Sequence, residues 1–151
     1  MSTGVSGMIE CRPGARIWGV GDEDSVWMGG IDLSFLNTGT AYDALACLFG
    51  VRNSYGFRPL AEGRGLPVDA SDEVRAAFAG YGGPDDVHGT TWITGDELAG
   101  ADWDESDRSG TRSRRAVAGD ASYWRPTWEV MRTLGGLHGA ENVRLVVWFD
   151  Y

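Results

Sequence analysis

Residues 143–151, VRLVVWFDY, decide the fold of this chain. Apolar residues follow one another there without the alternation of apolar and polar residues that marks a strand with one solvent-exposed face. An unbroken apolar run of this length is typical of a strand that is buried on both faces. The segment is therefore predicted to occupy the middle of a β-sheet.

Further strands are predicted from short runs of β-forming residues at 8–12, 15–20, 26–28 and 31–36. Glycine, proline and aspartate separate these runs, and the separators between the last three runs predict hairpins, one of them at Gly29-Gly30. Residues 87–93 alternate weakly, which predicts one more short strand.

The segment TAYDALACLFGVRN at 40–53 predicts the first helix. Thr40 is the expected N-cap, Asp43 completes a variant of the capping box, and Gly50 is expected to end the helix. A second helix is predicted after Ser71, because a serine N-cap followed by two acidic residues favours a helix start.

A third helix is predicted over roughly 124–137, with Pro126 in its first turn and Trp124, Trp128 and Met131 along one face. Thr94 and Glu97 have the spacing of a capping box. The elements together indicate an α+β fold, with an antiparallel or mixed sheet and two to three helices packed on one side.

The length of 151 residues predicts one domain, 1–151. Residues 54–69 are expected to form a long loop. The segment 102–120 has few apolar residues and mixed charges, which predicts a mobile loop over roughly 104–120.

The net charge of −9 opposes binding to nucleic acid polymers and to anionic membranes, because both depend on a basic surface. All 13 basic residues are arginine, which indicates a GC-rich genome such as that of an actinobacterium or one of its phages. The absence of lysine also excludes sites that need a lysine side chain, such as a Schiff base or a P-loop. The chain begins without a signal-peptide pattern, so a cytoplasmic location is expected.

The first helix carries its polar residues at its ends, which is typical of a helix that holds a binding cluster at the rim of a core. Tyr42 and Asp43 lie in the first turn, and Arg52 and Asn53 follow the last turn. The strand at 87–93 adds His88, Thr91 and Trp92 as candidates. The seven tryptophans exceed what a core of this size needs, so one or two are expected to line a cleft, where an indole could stack on a base while Arg52 meets a phosphate.

The candidate chemistry is otherwise sparse. Two histidines and two distant cysteines do not form a recognisable metal-ligand set, so no metal and no cofactor are expected. No catalytic residue is predicted, although His88 would be the general base if the protein were an enzyme.

Four blocks can be compared with a known set of proteins. These are YDALACLFGVRN at 42–53, RGLPVDAS at 64–71, HGTTWITGDEL at 88–98 and VRLVVWFDY at 143–151. In this order they resemble small proteins from bacteriophages and actinobacteria, in which the blocks run approximately RYDxFAxLAxVRN, GLPxDVS, HSxSWLTxxEL and VRxVFWFDN. The resemblance implies a phage-linked accessory protein that acts on a host component, for example by sequestering a defence signal.

Three functions follow from these observations. The first is a non-enzymatic protein that binds a small anionic or nucleotide-like ligand. The residues expected at its site are Tyr42, Asp43, Arg52, Asn53, His88, Thr91 and Trp92. The second is an antagonist that binds a host protein through its acidic surface and its loops. The third is an unrecognised hydrolase or transferase that uses His88 as a base.

Overall fold

The computed structural model describes residues 2–13, 26–36, 39 and 41–150. Its four strands form one antiparallel sheet in the order β2-β1-β4-β3. They are β1 (Gly4–Cys11), β2 (Met28–Asp32), β3 (His88–Thr94) and β4 (Val143–Asp150). Strand β4 lies inside the sheet, and its residues 143–149 are all buried, which confirms the prediction from its unbroken apolar run.

Five helices accompany the sheet in the described part of the chain. They are α1 (Tyr42–Phe49), α2 (Asp72–Gly80), α3 (Gly95–Gly100), α4 (Arg114–Ala118) and α5 (Arg125–His138). Three 3-10 turns lie at Leu33–Phe35, Gly83–Asp85 and Ala140–Asn142. Among these helices and turns, no helix is both long enough and apolar enough to cross a membrane.

The predicted helix signals are largely confirmed. Gly50 ends α1 with a left-handed φ of 75°, and the Ser71 hydroxyl caps α2 by accepting a hydrogen bond from the Val74 amide. Thr94 and Glu97 form the complete capping box of α3. At the start of α1 the N-cap is Ala41, which makes no side-chain capping bond, and the expected cap at residue 40 lies outside the described residues.

Both faces of the sheet are covered. On the first face, Leu145 and Val147 of β4 join a core that includes Leu45 of α1, Val117 of α4 and Trp128 of α5. A second, smaller core lies on the other face. There Val146 and Trp148 of β4 pack with Val74 of α2. The α+β class is confirmed, with helices α1, α4 and α5 on one face and α2 on the other.

The predicted hairpin at Gly29-Gly30 is wrong, because both glycines lie inside β2. A Cβ on Gly29 would stand 2.5 Å from the Glu73 Cβ and 2.8 Å from the Met8 Sδ. Glycine is therefore required there so that α2 can approach the strand, and not because the chain turns. The predicted strand at 15–20 and the turn that follows it lie outside the described residues.

The expectation that residues 104–120 lack a packed element is wrong. The segment contains α4, and an isolated β-bridge pairs Ser106 with Ser113. Arg114 is only 1% exposed and donates to the carbonyl oxygens of Asp102 and Arg58 and to the Glu105 carboxylate. Arg114, one of the charged residues that suggested a solvated loop, therefore attaches this segment to the rest of the fold. Residues 54–69 do form a loop, as predicted.

Candidate functional site

A cavity of about 610 Å³ opens between α3, α5 and the chain that links α4 to α5. Its lining contains the indoles of Trp103 and Trp128 and three charged side chains, those of Arg115, Asp120 and Arg132. The other described lining residues are all glycine, alanine, leucine or methionine. We call this feature the tryptophan cavity. Its volume lies within the range of about 300–1,000 Å³ that is typical of small-molecule sites.

The two indoles present apolar surface and have no donor left for a ligand. The Trp103 Nε1 donates to the Leu98 carbonyl oxygen at 2.9 Å, and the Trp128 Nε1 donates to the Ala118 carbonyl oxygen at 2.7 Å. Their ring centroids lie 6.3 Å apart with an edge-to-face angle of 67°. Because both N–H groups are bonded to the protein itself, the rings can contact a ligand only through their faces and edges.

The wall formed by Trp128 is packed against the core. Its ring stacks on the buried Trp124 ring with a centroid distance of 5.3 Å and an interplanar angle of 21°. Trp128 is itself 5% exposed, whereas Trp103 is only half-buried. Trp103 is therefore the more accessible of the two aromatic walls.

The charged groups form two ion pairs. Arg132 contacts the Asp120 carboxylate at 3.0 Å, and Arg115 contacts the Asp104 carboxylate at 3.1 Å. All four side chains are more than half exposed. Exposed pairs of this kind contribute about 0–1 kcal/mol each, so a ligand anion can share or replace the carboxylate at little cost.

Small residues make room for the cavity. A Cβ on Gly95 would lie 2.8 Å from the Ala140 carbonyl oxygen, so glycine lets the start of α3 approach the turn that follows α5. An ideal Cβ on Gly136, in the cavity wall, would meet no atom within 4 Å. This position can therefore accept a side chain without a clash at its Cβ.

The residues predicted from the sequence lie elsewhere, and none of the seven lines the tryptophan cavity. Two of them, Tyr42 and Arg52, do meet. The Arg52 guanidinium lies 4.7 Å from the centre of the Tyr42 ring, and its Nε donates to the Thr3 hydroxyl at 2.6 Å. The Tyr42 hydroxyl accepts a hydrogen bond from the Thr3 amide. Arg52 has a left-handed φ of 52°, the one positive value among the described non-glycine residues.

Asp43 and Asn53 have partners within the protein. Asp43 accepts from the guanidinium of Arg112 at 3.0 Å, and Arg112 lies over the Tyr55 ring. The Asn53 side chain accepts from the Gly56 and Phe57 amides and donates to the Phe57 carbonyl oxygen. Asn53 therefore orders the turn that follows α1.

Of the three predicted residues of β3, Thr91 and Trp92 both contact Arg64, whereas His88 lies beside Phe149. The His88 ring lies 6.1 Å from the Phe149 ring, and the buried Thr91 hydroxyl accepts from the Arg64 amide. The Arg64 guanidinium lies 4.8 Å from the centre of the Trp92 ring. Arg64 also forms two hydrogen bonds to Glu97, which hold the pKa of that carboxyl below its usual range.

A buried ion pair on the second face of the sheet was missed by sequence reasoning. Arg144 of β4 donates to Glu10 of β1 at 2.5 Å and to Asp69 at 2.9 Å, and Glu10 also accepts from the Ser71 amide. The Arg144 guanidinium lies 3.9 Å from the centre of the Trp27 ring. These contacts fasten the loop before α2 to the sheet, so we assign the pair a structural role.

The tryptophan cavity was itself only partly foreseeable. The number of tryptophans indicated that one or two would line a cleft, and Trp103 and Trp128 do so. Their identity depends on the packing of residues 102–120, which the polar composition concealed. Comparison with known protein families, curated proteins and solved structures gives no match for this chain. The resemblance to small phage and actinobacterial proteins therefore stays a prediction.

Proposed function

We propose that this protein binds a small ligand in the tryptophan cavity and does not transform it. The observation that carries the proposal is the lining of the cavity, in which two oriented indoles and an apolar floor meet two exposed arginines. Apolar walls with a few charged groups at one side are the usual composition of a small-molecule site.

Binding is favoured over catalysis by the kinds of side chain present. The described lining has no serine, threonine, cysteine, histidine or tyrosine, so it offers no hydroxyl, thiol or imidazole nucleophile, and its one carboxylate, Asp120, is exposed and paired with Arg132. The arginines support an anionic ligand, in keeping with the small anionic ligand expected from the sequence. A binder without turnover would act by sequestering its ligand.

Blocking the cavity tests this proposal. Gly136→Phe places a ring on the cavity wall at a position where the Cβ meets no atom within 4 Å. Gly80→Phe is the matched control, because Gly80 ends α2 on the other face of the sheet and its Cβ would also meet no atom within 4 Å.

Each purified protein is incubated with a metabolite extract and washed, and the retained compounds are identified by mass spectrometry after denaturation. We expect the same compound on the wild type and on Gly80→Phe, and its loss from Gly136→Phe. Retention of nothing by the wild type, or equal retention by all three proteins, would show that the cavity is not a binding site.

A further inference from the structure

We infer that the ligand of the tryptophan cavity is an aromatic carboxylate, with a flat apolar body and a single negative charge at one end. This inference rests on the proposed function and names its ligand class. It departs from a nucleotide, whose base would enter the cavity with several hydrogen-bonding groups on its edge.

The ligand is inferred to have an apolar end because the lining of the cavity has few side-chain donors and acceptors. The described lining has no hydroxyl, amide or imidazole side chain, and the N–H groups of Trp103 and Trp128 are bonded to carbonyl oxygens of the protein. A base edge buried against these walls would lose its hydrogen bonds to water without replacement. The cavity therefore discriminates against nucleobases and favours a body without polar groups.

The aromatic character follows from the walls. The indoles of Trp103 and Trp128 stand edge-to-face at 67°, so a flat ring placed beside them can face one indole and meet the edge of the other. Met131 contributes a thioether, a group that also packs favourably against aromatic rings.

The single negative charge follows from the ion pairs at the cavity. Arg115 and Arg132 supply two positive charges, and their partners Asp104 and Asp120 supply two negative charges, so the cluster is neutral as a whole. A carboxylate can accept a bidentate pair of hydrogen bonds from one guanidinium. A dianion would meet more repulsion from the two aspartates and from the chain's net charge of −9.

Isothermal titration calorimetry at about 0.15 M salt, where the Debye length is about 8 Å, tests the ligand class with three probes. The probes are naphthoate, its neutral isostere naphthamide, and AMP. We expect naphthoate to bind at least tenfold more tightly than either of the other two. Equal affinity for naphthoate and naphthamide, tighter binding of AMP, or no binding of naphthoate would each overturn the inference.

Two variants separate recognition of the charge from general effects on the fold. Arg132→Gln should lower the affinity for naphthoate by about tenfold and leave the affinity for naphthamide unchanged. Arg125→Gln is the control, because Arg125 lies on the same helix, is paired with Glu129, and is not part of the cavity lining. An equal effect of both substitutions would show that the cavity arginine does not bind the carboxylate.

The two experiments distinguish an error in the ligand class from an error in the proposed function. If a retained metabolite is lost in Gly136→Phe but naphthoate does not bind, the cavity is a binding site for another class of compound. If the wild type retains nothing from the extract and binds no probe, both proposals are wrong.

Discussion

Replacing Arg114 with methionine tests whether residues 104–120 are packed as the structure has them. Methionine keeps much of the length of the side chain but cannot donate hydrogen bonds. The substitution removes the donors to the carbonyl oxygens of Asp102 and Arg58 and to the Glu105 carboxylate. Because Arg114 is 1% exposed and its hydrogen bonds to the two carbonyl oxygens are partly buried, water can replace it there only in part.

The cost can be derived from these contacts. Removing one partner of a buried ion pair costs roughly 3–5 kcal/mol. The Glu105 side chain is 29% exposed and can regain water, so the lower end of that range applies. We expect a loss of about 3 kcal/mol in the free energy of unfolding, which for a domain of this size lowers the melting temperature by roughly 6–12 °C.

The neighbouring Arg115 supplies the control. It lies on the same helix, and its ion pair with Asp104 has side chains that are 62% and 81% exposed. Arg115→Met should therefore cost at most about 1 kcal/mol. Urea unfolding followed by circular dichroism measures both variants, with an unchanged slope required for the comparison. If Arg114→Met destabilises the protein no more than Arg115→Met does, the segment is the mobile loop that its composition suggests.

Three further outcomes are expected. Burial raises the pKa of Cys47 to about 12, so mass spectrometry should find this thiol unmodified by iodoacetamide at pH 8 in the folded protein and modified after unfolding. The hydrogen bonds from Arg64 lower the pKa of Glu97, so the stability that this group contributes is complete above its ordinary pKa of 4.5 and is lost as the pH falls through the lower folded value. Glu97→Gln should accordingly flatten the decline of the urea midpoint in acid, and an unchanged pH dependence would contradict the assignment. Arg52→Gly should be more stable than Arg52→Ala by roughly 0.5–1 kcal/mol in urea unfolding, because glycine relieves the left-handed strain at the cost of some backbone entropy; equal stability would indicate that the backbone there is not strained.

The parts of the fold that could be predicted are those whose causes are local. The cap of α2 needs only the Ser71 hydroxyl and an amide three residues away, and the capping box of α3 needs only Thr94 and Glu97. Strand β4 could be placed in the middle of the sheet because burial on both faces requires apolar residues at consecutive positions.

The parts that could not be predicted depend on contacts between distant residues. A glycine in a strand and a glycine in a turn look alike in a sequence, and only the approach of Glu73 to Gly29 distinguishes them. Likewise an arginine in a charged segment is solvated in most proteins, and the burial of Arg114 depends on the Arg58 carbonyl oxygen, 56 residues away in sequence. The site residues were predicted from their positions at the ends of α1 and on β3. Their contacts with Thr3, Arg64 and Arg112 join residues that are distant in sequence, so those positions did not predict them.

The packing of residues 104–120 connects the fold to the proposed site. The Arg114 amide donates to the Glu105 carbonyl oxygen, and the Arg115 amide donates to the Trp103 carbonyl oxygen, each at 2.8 Å. These two bonds hold the start of α4 beside the chain that carries Trp103. The backbones of Trp103 and Arg115, which both line the tryptophan cavity, are therefore held next to each other. The buried Arg114 side chain connects the same two segments, because it donates to the Asp102 carbonyl oxygen and to the Glu105 carboxylate. The polar composition that suggested a mobile loop therefore has two uses here. Arg114 binds carbonyl oxygens in the interior of the segment, and Arg115 lies at the tryptophan cavity, where the proposed site needs a positive charge.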